Sequence, residues 1–432
     1  MSPQSTVHSS QIVVVGGGIA GLVAANQAAR RGHAVTLVEK GAALGGRAAT
    51  RERQGFSFNL GPHALYRAGV LRQTLRTFGI DPPGAVPGAN GGFAIYQGRP
   101  HTLPAGFASL MTTGLLRLPE KFEFAKLLSS LAMMDAAAIQ HETLAAWLAR
   151  RIQHERVRDV IKMLVRVATF TNDPGHQSAG AAIEQLQLAV KANVLYVDGG
   201  WQTIVDALRD AATRAGVRIT TGTAVSLDAR SSHQAAPERC ATARGVRLAD
   251  GSSLPASAVI LTGAPADVDG IAGTSFAATL PPPVRVATLD IGLRTLPRPK
   301  RLVAFGVDAP TYFSVHSAVA KLTADGGAVL HVARYLPPDE GAGRDVERQL
   351  EAVVDDLQPG WRDTIETKQF LPNLVVTHAE VTAAQGGVSG RPSPRVDLYD
   401  NVFVAGDWIG ARGQLSDAAA ASGMAAADAA AS

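Results

Sequence analysis

Cysteine is almost missing from this sequence: Cys240 is the only one in 432 residues. A single thiol excludes an internal disulfide and any thiolate metal cluster, and it fits a reducing compartment, so a cytoplasmic protein is expected. The 11 histidines are dispersed, with no His-x3-His or His-Glu-x-x-His spacing, and no metal site is expected. There is no Gly-x-Ser-x-Gly elbow for nucleophilic catalysis. No uninterrupted apolar run reaches the roughly 18 to 20 residues that cross a bilayer. The opening MSPQSTVHSSQ has neither a basic nor an apolar block; residues 1–10 read as a disordered tail and not as an export signal.

Charge of one sign is not in large excess either. The formal net charge is +4, and Lys and Arg are scattered among Asp and Glu without a basic block or interleaved aromatics, so nucleic acid is not an expected partner. With 46% hydrophobic and 18% charged residues the chain lacks the signature of disorder. Its length exceeds what one core usually supports, so two domains are expected.

What is present begins with IVVVGGGIAGLVAANQAARRGHAVTLVEK. Residues 12–15 form the continuous apolar run of a strand buried on both faces, 20–31 read as a helix stopped by Gly32, and 34–38 return as a second buried strand. In this βαβ unit Gly16-x-Gly18-x-x-Gly21 stands between strand and helix, the context the pattern needs in order to signal a dinucleotide. The first glycine permits the tight turn, the second lets backbone approach a pyrophosphate, and the third lets helix pack on strand. Ile19 and Ala20 open the helix. Glu39, roughly 20 residues on with Lys40 beside it, can accept hydrogen bonds from a ribose diol and would repel a 2′-phosphate. Up to this point NAD and FAD serve equally well.

A second stretch of alternating elements runs through 195–261: a strand at 196–200, a helix at 201–215, a strand at 217–220, a hairpin-like segment and a buried strand at 258–261. Near the C-terminus NVFVAGDW reads as a strand entering a turn, followed by an alanine-rich helix at 415–430. Between these pieces lie segments of different texture. The hairpin GGFAIYQGRPHTLP leads to helices at 115–138 and 144–170, and a later segment carries strands at 284–293, 312–315 and 328–334. The predicted architecture is α/β: a discontinuous Rossmann-like domain (11–91, 191–280, 391–432) with an inserted α+β substrate domain and helical cap (92–190, 281–390).

Glu39-x5-Gly45-Gly46-Arg47, the later GWQTIVDALRDAATRAGVRITTGTAV and the terminal NVFVAGDWIGARGQLSDAAAASGMAAA together resemble the flavin superfamily of phytoene desaturases, protoporphyrinogen oxidases and amine oxidases, most closely its phytoene-desaturase-like branch. The resemblance covers nearly the whole chain and implies FAD. It places Gly45, Gly46 and Arg47 along the pyrophosphate and ribityl chain, Ala224 and Val225 at the adenine, and Gly406 and Asp407 at the ribityl and phosphate region. Gln414, Leu415 and Ser416 would open a helix whose amides face the flavin's pyrimidine edge. Gly61, Pro62 and His63 belong to the segment FNLGPHALY, which in the desaturases returns to the flavin ring. His63 is the candidate catalytic side chain; the alternative is a histidine satisfied by nearby backbone. Asn59 stands where the family often has an acid.

FAD takes a hydride, so the remaining task is to lay a C–H bond against it. The resemblance implies dehydrogenation or desaturation of a small, largely apolar molecule, with oxygen or a quinone as final acceptor. Alternatives are oxidation of an amine or amino acid, and a non-redox flavin-dependent isomerase. Against an amine oxidase, VRVATLDIGL has no lysine where one is commonly found, Lys300 comes later in a loop, and SDAAAASG offers small residues where an aromatic is expected. Tyr312, Phe313 and Tyr335 are candidate substrate contacts. The segment LPAGFASLMTTGLLRLPEKFEFAKLLSSLAMM reads as a helical cap first and as a peripheral membrane contact second.

Overall fold

A computed structural model describes residues 10–88, 91–230, 240–324, 326–341 and 343–432. Residues 1–9 of the predicted disordered tail lie outside the described residues. The opening run forms the strand Gln11–Val15, and because its side chains are apolar on both faces it is sandwiched inside a parallel sheet. The order across that sheet is Arg218–Thr221, Ala34–Glu39, Gln11–Val15, Ala258–Leu261 and Val402–Val404, all parallel. Segments from the start, the middle and the end of the chain therefore share one sheet.

The helix Ile19–Arg30 packs on this sheet, and the C-terminal helix Leu415–Ala430 packs on it in turn. The low-complexity composition of the second helix follows from how close the two lie: a Cβ at Gly423 would stand 2.6 Å from the carbonyl oxygen of Ala20. Only small residues permit that approach. In the first turn of the C-terminal helix, the Asp417 carboxylate accepts the Leu71 amide at 2.8 Å, so it caps the helix Val70–Thr77.

The second body is a seven-stranded sheet in the order Ile365–Thr377, Val284–Leu293, Ala328–Leu336, Thr311–Val315, Val303–Gly306, Gly92–Tyr96 and Arg99–Thr102. Period-two alternation divides its residues between two faces. Ala287, Leu289, Ile291 and Leu293 pack with Phe313 and Trp361 against the helix Val346–Leu357. Val286, Thr288 and Asp290 face the other way, toward the nucleotide-binding segments. Helices Leu118–Leu131, Leu144–Arg151, Glu155–Thr169 and Ala179–Ala192 build a cap with its own core. Arg166 ties cap to sheet by donating to the carbonyls of Gly306 and Val307 at 2.9 and 2.8 Å.

Two predicted helices differ from those observed. The one expected at 115–138 starts at Leu118, where Glu120 accepts the Arg117 amide, and ends at Leu131. The one expected at 144–170 is two helices, separated at residues 152–154. Among the described residues, no helix is long and apolar enough to cross a membrane.

Candidate active site

A cavity of about 870 Å³ lies between the two sheets. One end is the turn after the first strand. There Gly16 has φ 105°, and Thr262 Oγ1 pins the turn by donating to the carbonyls of Val15 and Gly16 at 2.8 and 3.1 Å. The helix that follows has Gly18 as N-cap, no side-chain cap and no acidic residue in its first turn. Its amides and the positive end of its dipole are thus left for an anion. Gly18, Ile19 and Ala20 line the cavity beside this turn. A Cβ at Gly18 would meet nothing nearer than the Gly45 carbonyl oxygen at 3.9 Å. Gly21 is different. It is absent from the wall, and a Cβ there would overlap the Gly16 carbonyl, so it serves helix packing.

Glu39 Oε2 accepts the Gly17 amide and Oε1 the Gly41 amide, both at 2.6 Å. The carboxylate is thereby aimed along the cavity with lone pairs to spare for a diol. Lys40, also on the wall, pairs with Asp267 at 3.1 Å on the surface. Ala224 and Val225 lie at this end, together with a run from Thr262 to Ala264.

Midway, Gly45 and Gly46 adopt φ 120° and 55°, which keeps side chains out of the passage. Arg47 crosses to the C-terminal segment: Nη1 donates to Asp407 Oδ2 at 2.8 Å and to the Val376 carbonyl at 2.5 Å. His378 completes the cluster, its amide donating to Asp407 Oδ2 at 3.2 Å and its Nδ1 lying 3.0 Å from Oδ1. Burial alone would raise the Asp407 carboxyl, but the Arg47 guanidinium and His378 override it and hold it well below the ordinary carboxylate range. Gly406, Leu415 and Ser416 line the same stretch.

At the far end the wall is Leu60, Pro62, His63, Tyr66, Phe170, Trp201, Val286 and Leu374. Two bulky residues of the cavity wall take left-handed backbone, Phe170 at this end with φ 62° and Leu415 in the middle stretch with φ 55°. Such geometry costs about 1–3 kcal/mol each and concentrates at functional sites. Phe170 is held there by edge-to-face packing on Tyr335, with ring centroids 6.0 Å apart.

Several expected site residues stand elsewhere. Gly61 and Gln414 are off the wall; the Gln414 amide group is spent on the Ala181 carbonyl at 2.7 Å. Phe313 points to the opposite face of the sheet, into the core under the helix Val346–Leu357, so the expected substrate contact is corrected to a core residue. Tyr312 and Tyr335 face the right way but lie beneath the wall, 7% and 1% exposed. His63 reaches the wall, yet its Nδ1 lies 3.0 Å from the Gly61 carbonyl oxygen and its Nε2 3.1 Å from that of Arg47. With both nitrogens turned to backbone carbonyls, neither is aimed into the cavity, and its geometry is not that of a base directed at substrate.

Sequence reading missed His378, Asn373 and Leu374. They come from the strand Ile365–Thr377 and its exit, which Pro372 disguises.

The uncapped helix start, the glycine passage, the acid held at the ribose end and the buried Asp407 fit an adenine dinucleotide whose two halves meet opposite ends of the chain. With a separate sheet walling the far end, they define an FAD-dependent oxidoreductase. The sequence signature of the family described as flavin containing amine oxidoreductase matches residues 19–294, and the chain belongs to that family.

Among curated relatives, the chain is 43% identical over 81 residues to the L-amino-acid oxidase of Pseudechis australis, 18% of this chain and 16% of that one. It is 41% identical over 78 residues to a carotenoid 3,4-desaturase of Haloarcula japonica, again 18% and 16%. A longer alignment, 24% identical over 473 residues, spans 91% of this chain and 87% of a coproporphyrinogen III oxidase of Propionibacterium freudenreichii. Among solved structures, an oxidoreductase from Methanosarcina mazei superposes with a TM-score of 0.72 at 17% identity, covering 96% of this chain and 99% of that one.

Proposed function

We propose that this enzyme dehydrogenates a small, largely apolar organic molecule, forming a carbon–carbon double bond or an equivalent unsaturation, with oxygen or a quinone reoxidising the flavin. Bound FAD supplies the hydride acceptor. In this reading Gly18, Ile19 and Ala20 hold the pyrophosphate, Glu39 the ribose, Ala224 and Val225 the adenine, and Gly406 and Asp407 the ribityl chain. Tyr66, Phe170, Val286 and Leu374 exclude water and orient the substrate.

The observation that carries this is the far wall. Among the described residues, the seven-stranded sheet and the cap present to it no Lys, Arg, Asp or Glu. An amino acid or a polyamine would bury its charges there without partners, which is expensive. The strand Val284–Leu293 offers Val286 to the cavity, and Lys300 is an exposed loop residue.

Anaerobic mixing distinguishes the readings. Bleaching of the flavin band by polyenes or other apolar dehydrogenation substrates, with primary amines and amino acids at least about 100-fold slower in kcat/KM, is the expected outcome. Faster bleaching by amines favours an amine or amino-acid oxidase, the reading that the local likeness to the Pseudechis australis enzyme supports. Turnover only after prior reduction favours the isomerase.

The same reading places the protein in the cytoplasm, touching a lipid surface through its cap. The segment 103–134 is two-sided: Phe124, Leu127 and Leu131 are buried in the cap core, whereas Phe107, Leu118, Phe122 and Met133 are 81%, 62%, 67% and 88% exposed. Arg117 and Lys126 are exposed beside them. Phe107→Ser with Phe122→Ser is expected to weaken sedimentation with anionic lipid vesicles about tenfold or more, at roughly 1.5–3 kcal/mol per fully buried aromatic side chain. Equal sedimentation of mutant and native protein would remove the membrane from the account.

A further inference from the structure

Beneath the cavity wall, polar side chains stand in one row across the seven-stranded sheet. Gln369, Asp290, His331 and Ser314 face one another in direct register on four adjacent strands. Asp290 and His331 are wholly buried, with His331 Nδ1 2.7 Å from Asp290 Oδ1. Gln369 Nε2 donates to the other carboxylate oxygen at 3.1 Å and toward the Asn59 carbonyl at 3.4 Å. A hydrophobic core does not need this pair. It places a carboxylate out of water with one imidazole and one amide for company, and leaves His331 Nε2, Ser314 Oγ and Thr288 Oγ1 without protein partners. Buried polar atoms are seldom left so.

The segment that carries His63 lies over this row from the cavity side: a Cβ at Gly61 would stand 3.0 Å from the Thr288 side chain, and Gln369 reaches the Asn59 carbonyl. Both nitrogens of His63 face carbonyl oxygens, which only accept. A neutral ring therefore satisfies one of them and sets a lone pair against the other, whereas an imidazolium donates to both. Burial opposes that charge and lowers the His63 pKa; His331 adds to the lowering, and Asp290 counters it. The other groups around the pair do not supply charge. His316 stacks on Tyr196 with ring centroids 3.9 Å apart, meets His331 edge-on at 4.4 Å and has Nε2 3.1 Å from the Tyr312 hydroxyl. Burial, with His331 and His63, pushes His316 well below its ordinary value, and burial holds the Tyr312, Tyr196 and Tyr335 phenols above theirs. Arg47, whose carbonyl oxygen faces His63 Nε2, has its guanidinium committed to Asp407.

We propose that His63 takes up one proton when the flavin is reduced, with the buried Asp290 carboxylate, held in place by His331 and Gln369, as its counter-charge. In the oxidised protein the ring is neutral. Dehydrogenation sends a hydride, with its electron pair, to the flavin, which gains one negative charge, and releases one proton from the substrate as the double bond forms. That proton, or one from solvent, ends on the second nitrogen of His63, so the cavity gains no net charge. Asp290 and His331 are positioning residues that act through His63. The inference rests on flavin in the cavity and not on which substrate reduces it.

The test is the pH dependence of the flavin midpoint potential in the holoprotein, measured by dye equilibration without substrate. Near neutral pH the native protein is expected to follow a two-proton slope, twice that of a flavin taking up one proton per two electrons. Asp290→Asn, which retains shape and lets the Gln369 amide turn, is expected to fall to the one-proton slope while staying yellow. Should Asp290→Asn fail to hold FAD, His63→Gln carries the same expectation. A one-proton slope in the native protein, or a native slope in either yellow variant, overturns the proposal. Failure of apolar molecules to reduce the flavin would overturn the substrate reading and leave these slopes as they are.

Discussion

Gly18→Leu is expected to yield a folded protein that carries no flavin. Gly18 has φ −77° and ψ −174°, open to any residue, and a Cβ there would meet nothing nearer than the Gly45 carbonyl oxygen at 3.9 Å. The substitution should therefore cost the apoprotein no more than about 1 kcal/mol, the loss of a favourable N-cap residue. Yet the added side chain occupies the approach to the uncapped helix start, where the pyrophosphate needs backbone contact. Visible absorbance should fall from about one flavin per chain to near zero with the circular dichroism spectrum preserved. Gly21→Ala is the internal contrast. Its methyl group would overlap the Gly16 carbonyl, so the fold itself should lose roughly 1–3 kcal/mol or more by overpacking. A yellow Gly18→Leu protein would mean that the pyrophosphate does not lie over this turn.

Asp407→Ala should be the most damaging single change outside the glycines. The carboxylate is 2% exposed and gathers Arg47, 37% exposed, and His378 from distant parts of the chain. Removing one partner of a buried pair costs about 3–5 kcal/mol; screening at the half-exposed guanidinium reduces the expected loss to about 2 kcal/mol. Arg47 and His378 would lose their shared carboxylate, and FAD affinity should fall with them. A pH dependence follows from the same cluster. The folded Asp407 pKa is depressed, so its contribution is fully present above the unfolded value of about 3.9 and is lost as pH falls below it. Flavin release and lowered stability are expected below about pH 4, and Asp407→Asn should flatten that dependence. Unchanged acid release in Asp407→Asn would assign it to another group.

The strands at 258–261 and 284–293 and the helix at 415–430 were legible to the residue: the first is a continuous apolar run, the second keeps an apolar residue at every other position from Ala287 to Leu293, and the third is rich in alanine. The helix break at 152–154 was not. No glycine or proline marks it; the Glu123 carboxylate accepts the amides of Gln153 and His154 at 2.6 and 3.0 Å, and so caps a new helix from thirty residues upstream. Local propensity carries no trace of that contact. The strand Ile365–Thr377 was hidden by Pro372. It survives because it is an edge strand, and the register shift between Val286 and Thr288 accommodates the proline while turning Leu374 into the cavity.

In the site, residues whose role is backbone conformation or helix polarity could be named in advance: Gly16, Gly18, Gly45 and Glu39 act through geometry that spacing encodes. Those defined by pairing across the fold could not. His378 meets Asp407 from 29 positions away. Phe313 and Tyr312 are neighbours whose opposite fates depend on strand parity relative to a sheet that the sequence does not orient.

Quantitative FAD content of the purified native protein tests the central claim most directly, by the visible spectrum and by release of the cofactor on denaturation. About one noncovalent FAD per chain is expected, or its recovery on incubation of the apoprotein with FAD. A colourless protein that refuses added FAD would contradict the account.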